Sequence, residues 1–248
     1  MSYKFAVENK NYQDYASGRV FFNQHGTTSF PVRLASEIFQ RCVHIINEKG
    51  IDSSYVIYDP CCGGAYLLTT IGYLYGENIS KIFASDIDEN AIRLAERNLS
   101  LLSMLGIKDR IEQISKMVVD YDKDSHCEAL ESAFRLMSIL ESRSYIIGTK
   151  CFISDATKNT NKIDELNNVN IVITDLPYGD IVHWSNIEDE NEAITQLLEN
   201  LLLKLASNSV VAIISKRKIS IKHDMYKRLE YFKIGKRYIN ILSPIFNT

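Results

Sequence analysis

From about residue 51 onward, short apolar runs alternate with amphipathic stretches, and that alternation restricts the chain to few folds. The runs are Tyr55–Asp59, Lys81–Asp86, Cys151–Asp155, 169–175 and Ser209–Ser215. Helical spacing fills the gaps. Pro31 opens a helix to about Lys49, with apolar residues at 35, 38, 39, 42, 45 and 46 on one stripe and Gly50 closing it. A second helix covers about 65–75. Asp88 caps a third, striped by Ile92, Ala95, Leu99 and Leu102. Another is predicted around 189–206, and 231–246 reads as one or two closing strands. The pattern predicts an α/β fold, a parallel sheet with helices on both faces.

The alternation is interrupted over 107–149, where no strand is visible. Ala129, Ala133, Leu136, Met137 and Leu140 mark a helix there, behind a charged connector from Asp120 to Glu128. This segment reads as a helical insertion. Residues 1–28 are polar and aromatic with no clean period, an irregular or short-helical lead-in. At 248 residues the chain fits one large domain. The expected layout is an N-terminal helical extension, 1–50, packed on a sheet domain, 51–248.

Parallel sheets bind ligands at the carboxyl ends of their strands, so the strand tips carry the functional argument. The first tip is Asp59-Pro60-Cys61-Cys62-Gly63-Gly64. Its glycines allow a sharp turn and close approach to a ligand. A dinucleotide fingerprint needs G-x-G-x-x-G, and this loop lacks the third glycine. The acids remain. Asp86 and Asp88 suit ribose hydroxyls, Asp59 a cationic or amino group, and Asp155 an adenine amine, with the Ala156 N–H beside it. This set matches S-adenosylmethionine, which has an amino-acid head, a ribose and an adenine but no phosphate. Cysteines 42, 61, 62, 127 and 151 show no metal-ligand spacing, and no metal is expected. Cys61 and Cys62 fit either a redox pair or, more simply, two small residues in a tight turn. Scattered thiols suggest a reducing, cytoplasmic setting. The chain start carries no apolar signal region, and no run approaches the length of a membrane span, so no membrane partner is expected.

The second tip is Asp175-Leu176-Pro177-Tyr178-Gly179. It resembles the Asp/Asn-Pro-Pro-Tyr/Phe motif of amino-group methyltransferases. Pro177 lacks an N–H and biases Leu176 toward an extended conformation. The Leu176 carbonyl and the Asp175 carboxylate can then accept from a base, while Tyr178 stacks on it. Guanine presents N1–H and N2–H₂ side by side, two donors matching one carboxylate. Adenine and cytosine place a ring acceptor beside the amine. Aspartate therefore favours guanine. Leu176 replaces the usual proline, and transfer to N1, with Asp175 as proton acceptor, is as compatible as transfer to N2. Just beyond, Trp184 reads as an RNA stacking surface or a packing residue, and nothing positions His183 as a base.

Net charge is −3, yet the stretch from Lys204 to Arg237 holds ten Lys/Arg and two acids, leaving −11 elsewhere. That asymmetry suggests a basic face for phosphates, with Lys216, Arg217 and Lys218 flanking a strand end. A solvated helix face is the bland alternative.

Several stretches together resemble the avilamycin-resistance ribosomal RNA guanine methyltransferases. They are 16–20 around Arg19, Phe30-Pro31-Val32-Arg33, Asp59–Gly63, Tyr66-Leu67-Leu68-Thr69, Ala84-Ser85-Asp86-Ile87-Asp88, Thr174–Gly179 and Lys233–Arg237. The resemblance implies a Rossmann-like class I methyltransferase, with a mostly parallel seven-stranded sheet, that uses S-adenosylmethionine on one guanine of 23S ribosomal RNA, with the naked RNA or the large subunit as partner; a monomer is expected. It implies cofactor contacts from Arg33, Cys61, Cys62, Gly63, Tyr66, Leu67 and Ile87, and RNA contacts from Arg19, Lys236 and Arg237. Arg33, on the first helical turn, is expected either to fold over the crevice toward the cofactor carboxylate or to form a surface ion pair. Gly64-Ala65 stands where the family more often has Ser-Gly. The alternatives are a methyltransferase for DNA, transfer RNA or protein glutamine, and a Rossmann protein that binds nucleotide or RNA without catalysis.

Overall fold

The computed structural model describes residues 3–24, 29–50, 54–158, 165–177 and 189–246. Helix α1 spans Val32–Asn47, followed by β1 Tyr55–Asp59, α2 Tyr66–Tyr75, β2 Ile79–Asp86 and α3 Glu89–Ser100. Next come α4 Met104–Tyr121, α5 Asp124–Glu141, β3 Gly148–Ile153, β4 Val169–Asp175, α6 Glu190–Leu202 and β5 Leu205–Ser215. Strands β6 Tyr226–Ile234 and β7 Arg237–Pro244 close the chain. They form a seven-stranded sheet in the order β3-β2-β1-β4-β5-β7-β6, in which β7 runs antiparallel to both β5 and β6.

The central strands β1, β4 and β5 are apolar on both faces because both are covered, whereas the edge strands β3 and β6 are partly exposed. Ile57, Ile82, Ile171, Ile173, Val210, Ala212 and Ile214 join one core with α1, α2, α3 and the insertion helices. Their neighbours Tyr58, Phe83, Val172, Val211 and Ile213 join a second core with α6. This is the period-two alternation of strand side chains read out as two helical layers.

The insertion departs from expectation. Residues 104–121 form α4, where periodicity marks no element, and α5 begins at Asp124, so most of the charged connector is helical. Only Ile107 and Ile114 of α4 are buried. Ile107, Ile111, Ile114 and Val118 do share one side of α4, but the exposed Leu105 and Val119 blur that stripe.

The lead-in is tied down by polar groups. The buried Glu37 carboxylate accepts the amides of Lys4 (2.7 Å), Phe5 (2.9 Å) and Ala6 (2.8 Å) and the Arg41 Nε (2.7 Å). Arg41 continues to Glu230 on β6 at 2.6 Å. Asn98, fully buried on α3, takes the Phe22 amide and donates to the carbonyls of Phe22 and Gly64. The Tyr66 hydroxyl lies 2.9 Å from the same Phe22 carbonyl. Strand tip, α3 and lead-in thus share one polar knot.

Both the Glu37 cluster and the close packing at Gly64 can be tested. Burial opposes ionisation of Glu37, but the three amides and Arg41 outweigh it and hold its carboxyl below the usual range. The ionised form therefore stabilises the fold above the unfolded-chain value of ~4.3, and that contribution is lost as pH falls through the lower folded value. Glu37→Gln should lower stability at pH 7 and flatten the acid limb of a Tm-against-pH curve. At Gly64 a Cβ would lie 2.7 Å from a Leu94 methyl and 3.0 Å from the Tyr66 ring. Gly64→Ala should cost about 1–3 kcal/mol by overpacking, with Leu94→Ala restoring part of it in denaturant titrations.

Candidate active site

Strand order reverses between β1 and β4, and the crevice outside their carboxyl ends is the expected ligand site. Asp59 ends β1, Asp86 ends β2, Asp175 ends β4, and Asp155 follows β3 by two residues. Four acids therefore stand along one rim of the sheet.

The β1 loop is held by its neighbour strand. Cys62 N–H donates to the Ser85 carbonyl at 2.9 Å, and Gly63 N–H donates to Asp86 Oδ2 at 2.9 Å. The other Asp86 oxygen takes the Asp88 amide at 3.0 Å. Cys61 N–H turns back to Asp59 Oδ1 at 3.0 Å. Gly63 sits at φ +50° with open space around it, the conformation glycine adopts freely. Ala65 follows at φ +54°, where the family more often has glycine, and its buried methyl packs in the core.

Burial dominates the electrostatics. It pushes the Asp59 carboxyl up to about 8, with Asp86 and Asp175 adding to it and the Cys61 amide opposing. Burial also raises Asp86, against the amides of Asp88 and Gly63. The Cys61 and Cys62 thiols are pushed well above their usual range by burial and then by Asp59 and Asp86, which favours packing over redox chemistry for the pair. Asp155 goes the other way. Burial raises it, but Thr157 and Lys158 together outweigh that, with Thr157 Oγ1 at 2.6 Å and Lys158 Nζ at 3.0 Å.

The remaining residues are placed as follows. Asp88 caps α3 through Asn90 N at 2.9 Å, and Ile87 beside it is 45% exposed, an apolar surface facing solvent at the rim. Ala156, Asp155 and Pro60 line a shallow cleft that reaches Asn200 on α6. Leu176 is buried, and its amide bonds to the Ile214 carbonyl of β5. That bond orients Pro177 past the strand end. Tyr178, Gly179, His183 and Trp184 lie outside the described residues.

Five residues take positions that the sequence alone does not show. Arg33 donates to the carbonyls of Ala6 and Val7, both at 2.8 Å, and lies over the Tyr3 ring. Its guanidinium anchors the lead-in to the start of α1. Tyr66 and Leu67 are buried at the start of α2, with the Tyr66 hydroxyl committed to Phe22 and Asn23, so they support the loop from beneath. Arg19 pairs with Glu128 of α5 at 2.6 Å, tying lead-in to insertion. Arg237 is not on an open basic face but 3.4 Å from Asp175. Lys216, Arg217, Lys218 and Lys236 are exposed, with Arg217 4.0 Å from Glu190.

The basic residues and the acids share one end of the sheet. Ser215 at the end of β5 pairs with Tyr238, and Ile234 pairs with Arg237 around Gly235-Lys236. Positive φ at Gly235 alone fits a two-residue II′ turn. The β6–β7 turn therefore lies beside the tips of β4 and β5. Among the described residues no cluster of His, Cys, Asp or Glu could hold a metal, and no helix is long and apolar enough to cross a membrane.

Residues 1–237 match the family model for the rRNA methyltransferase AviRa. A 23S rRNA (guanine(2535)-N(1))-methyltransferase from Streptomyces viridochromogenes is 33% identical over 239 residues, 95% of this chain and 93% of that protein. Structures of the rRNA methyltransferase AviRa from the same organism superpose with TM-scores of 0.87 and 0.88 at 32% identity, covering 98% of this chain and 96% of theirs. The N-terminal domain of human METTL16 in complex with SAH shares the fold, at TM-score 0.53 and 12% identity over 92% of this chain and 76% of that one. With a family model spanning nearly its whole length, this chain belongs to the AviRa family of ribosomal RNA methyltransferases.

Proposed function

We propose that this protein uses S-adenosylmethionine to methylate N1 of a guanine in 23S ribosomal RNA. The observation that carries the reading is the pairing of two loaded tips across the sheet's switch point, Asp59 on β1 and Asp175 on the adjacent β4. The acids suit the cofactor's polar groups. Asp59 and the Gly63 loop take the amino-acid head, Asp86 and Asp88 the ribose, and Asp155 with Ala156 the adenine, with Ile87 against its ring. Each carboxylate offers about four lone-pair sites, so the amides already bound to Asp86 leave room for hydroxyls. Bound there, the cofactor supplies a methyl group activated by its sulfonium charge. Asp175 orients the guanine through N1–H and N2–H₂ and takes the N1 proton. The Leu176 carbonyl and Tyr178 complete the base pocket.

Lys216, Arg217, Lys218 and Lys236 hold phosphates beside the crevice, with Trp184 as a further stacking surface. A ribosomal substrate fits an enzyme of the cytoplasm. The named activity of the 33%-identical relative supports the N1 reading.

Asp175→Ala should reduce methyl transfer by at least ~10²–10³-fold, the scale of a lost general base, while cofactor affinity by calorimetry stays within a few-fold. Unchanged transfer would make the second tip structural. Tritiated methyl should enter 23S RNA or large subunits rather than transfer RNA or DNA, and label confined to the latter refutes the substrate.

Asp59 gives a pH prediction. Its folded value of about 8 lies above the unfolded ~3.9, so its contribution to stability is complete below pH ~4 and lost as pH rises through 8. A cationic amino group placed beside it favours the carboxylate. Cofactor binding at pH 7 should release a proton, and affinity should rise with pH until about 8 and then level. Calorimetry in buffers of different ionisation heat measures this. Asp59→Asn should abolish the proton release, and pH-independent binding by the wild type removes Asp59 from the ammonium site.

A further inference from the structure

The last cation of the basic segment is turned inward. Arg237 Nη2 lies 3.4 Å from Asp175 Oδ2, with only 14% and 19% of the two side chains exposed. One face of its guanidinium is covered by the Phe30 ring at 4.8 Å. Register fixes the meeting, since Asp175 pairs with Ile214 of β5, Ile214 with Ile239 of β7, and Arg237 stands two residues before Ile239. The pair stands side by side at the strand ends. A guanidinium with five donors and a carboxylate with about four lone-pair sites can each make a further bond to a flat guest presented to both.

We propose that Arg237 is a catalytic and specificity-determining residue that donates to guanine O6 while Asp175 accepts from N1–H and N2–H₂. The inference rests on the guanine-N1 reading above. Guanine's Watson–Crick edge runs acceptor, donor, donor. A guanidinium beside a carboxylate is its complement, and Arg carries five donors in a fixed fork. Adenine in the same pose sets its amine against the guanidinium and its ring acceptor against the carboxylate.

The same contact serves the chemistry. The N1–H bond breaks and its proton goes to Asp175. The electron pair stays on the ring, spread over N1, C6 and O6, where a fixed guanidinium opposite O6 stabilises it. That pair then forms the N1–CH₃ bond, while the methyl donor's C–S pair remains on sulfur. Asp175 passes its proton to water. One methyl and one proton move, and nothing is oxidised or reduced.

The test compares wild type with Arg237→Gln and Arg237→Lys, each first shown to bind cofactor with wild-type affinity. Arg237→Gln should lose about 10²–10³-fold in kcat at pH 7, the scale of a lost oxyanion donor, with RNA affinity changed only a few-fold. Its deficit should shrink as pH rises toward the range where guanine N1 ionises unaided, and Arg237→Lys should fall in between. In equilibrium binding without cofactor, wild type should prefer RNA with guanosine over adenosine at the acceptor position, and Arg237→Gln should lose that preference. A deficit equal at every pH with the preference intact makes Arg237 a mere counter-ion for Asp175 and overturns the proposal. So does an unchanged rate. If the Gln variant does not fold, the Lys variant's pH profile and base preference decide by the same criteria. A wild type that transfers nothing to guanine N1 instead overturns the function on which this rests.

Discussion

The site depends on how a parallel sheet ends. A strand tip leaves amides with no neighbour to pair, and a buried amide must find an acceptor. Here acceptors on β2 fill that need. The Asp86 carboxylate takes Gly63 N–H and the Ser85 carbonyl takes Cys62 N–H, so the end of the next strand shapes the loop after β1. Beneath it, Asn98 grips the Gly64 carbonyl and ties loop, α3 and lead-in together. The cost is electrostatic. Asp59 and Asp86 are both raised by burial, and a cationic ligand group is the natural relief.

The target side is built differently. β4 contributes Asp175, but the charge that faces it arrives from β7, two strands away in the sheet. Only an antiparallel β7 puts its first residue at the carboxyl ends of the parallel strands. A two-residue turn at Gly235-Lys236 then brings Lys236 to the same rim. The closing hairpin therefore does more than cover an edge, since it delivers basic charge to the rim that carries Asp175.

Periodicity makes the sheet and most helices legible, because both faces of the central strands are buried and the helix stripes are wide. The insertion is legible only in part, because α4 buries only Ile107 and Ile114 and leaves other apolar residues exposed. The strand-end acids are legible for a similar reason, since an aspartate closing an apolar run has no packing role to play. Arginines are the opposite case. Arg19, Arg33 and Arg237 differ little in local context, yet one binds a helix carboxylate, one a pair of carbonyls and one the Asp175 carboxylate. Long side chains with several donors take whichever acceptor the fold brings near, and that partner is 109, 27 or 62 residues away.

The sequence by itself determined the layered sheet, the acid-lined rim and the two loaded tips, because these follow from residues adjacent along one strand and loop. Only the tertiary structure decided the sheet order, which sets Asp59 next to Asp175, and the inward turn of Arg237. It also decided that Tyr66 supports the loop from below, because its hydroxyl meets Phe22 only after the lead-in has folded back. Local chemistry is written along the chain, whereas partners that meet across strands depend on register and direction, which no short window of sequence contains.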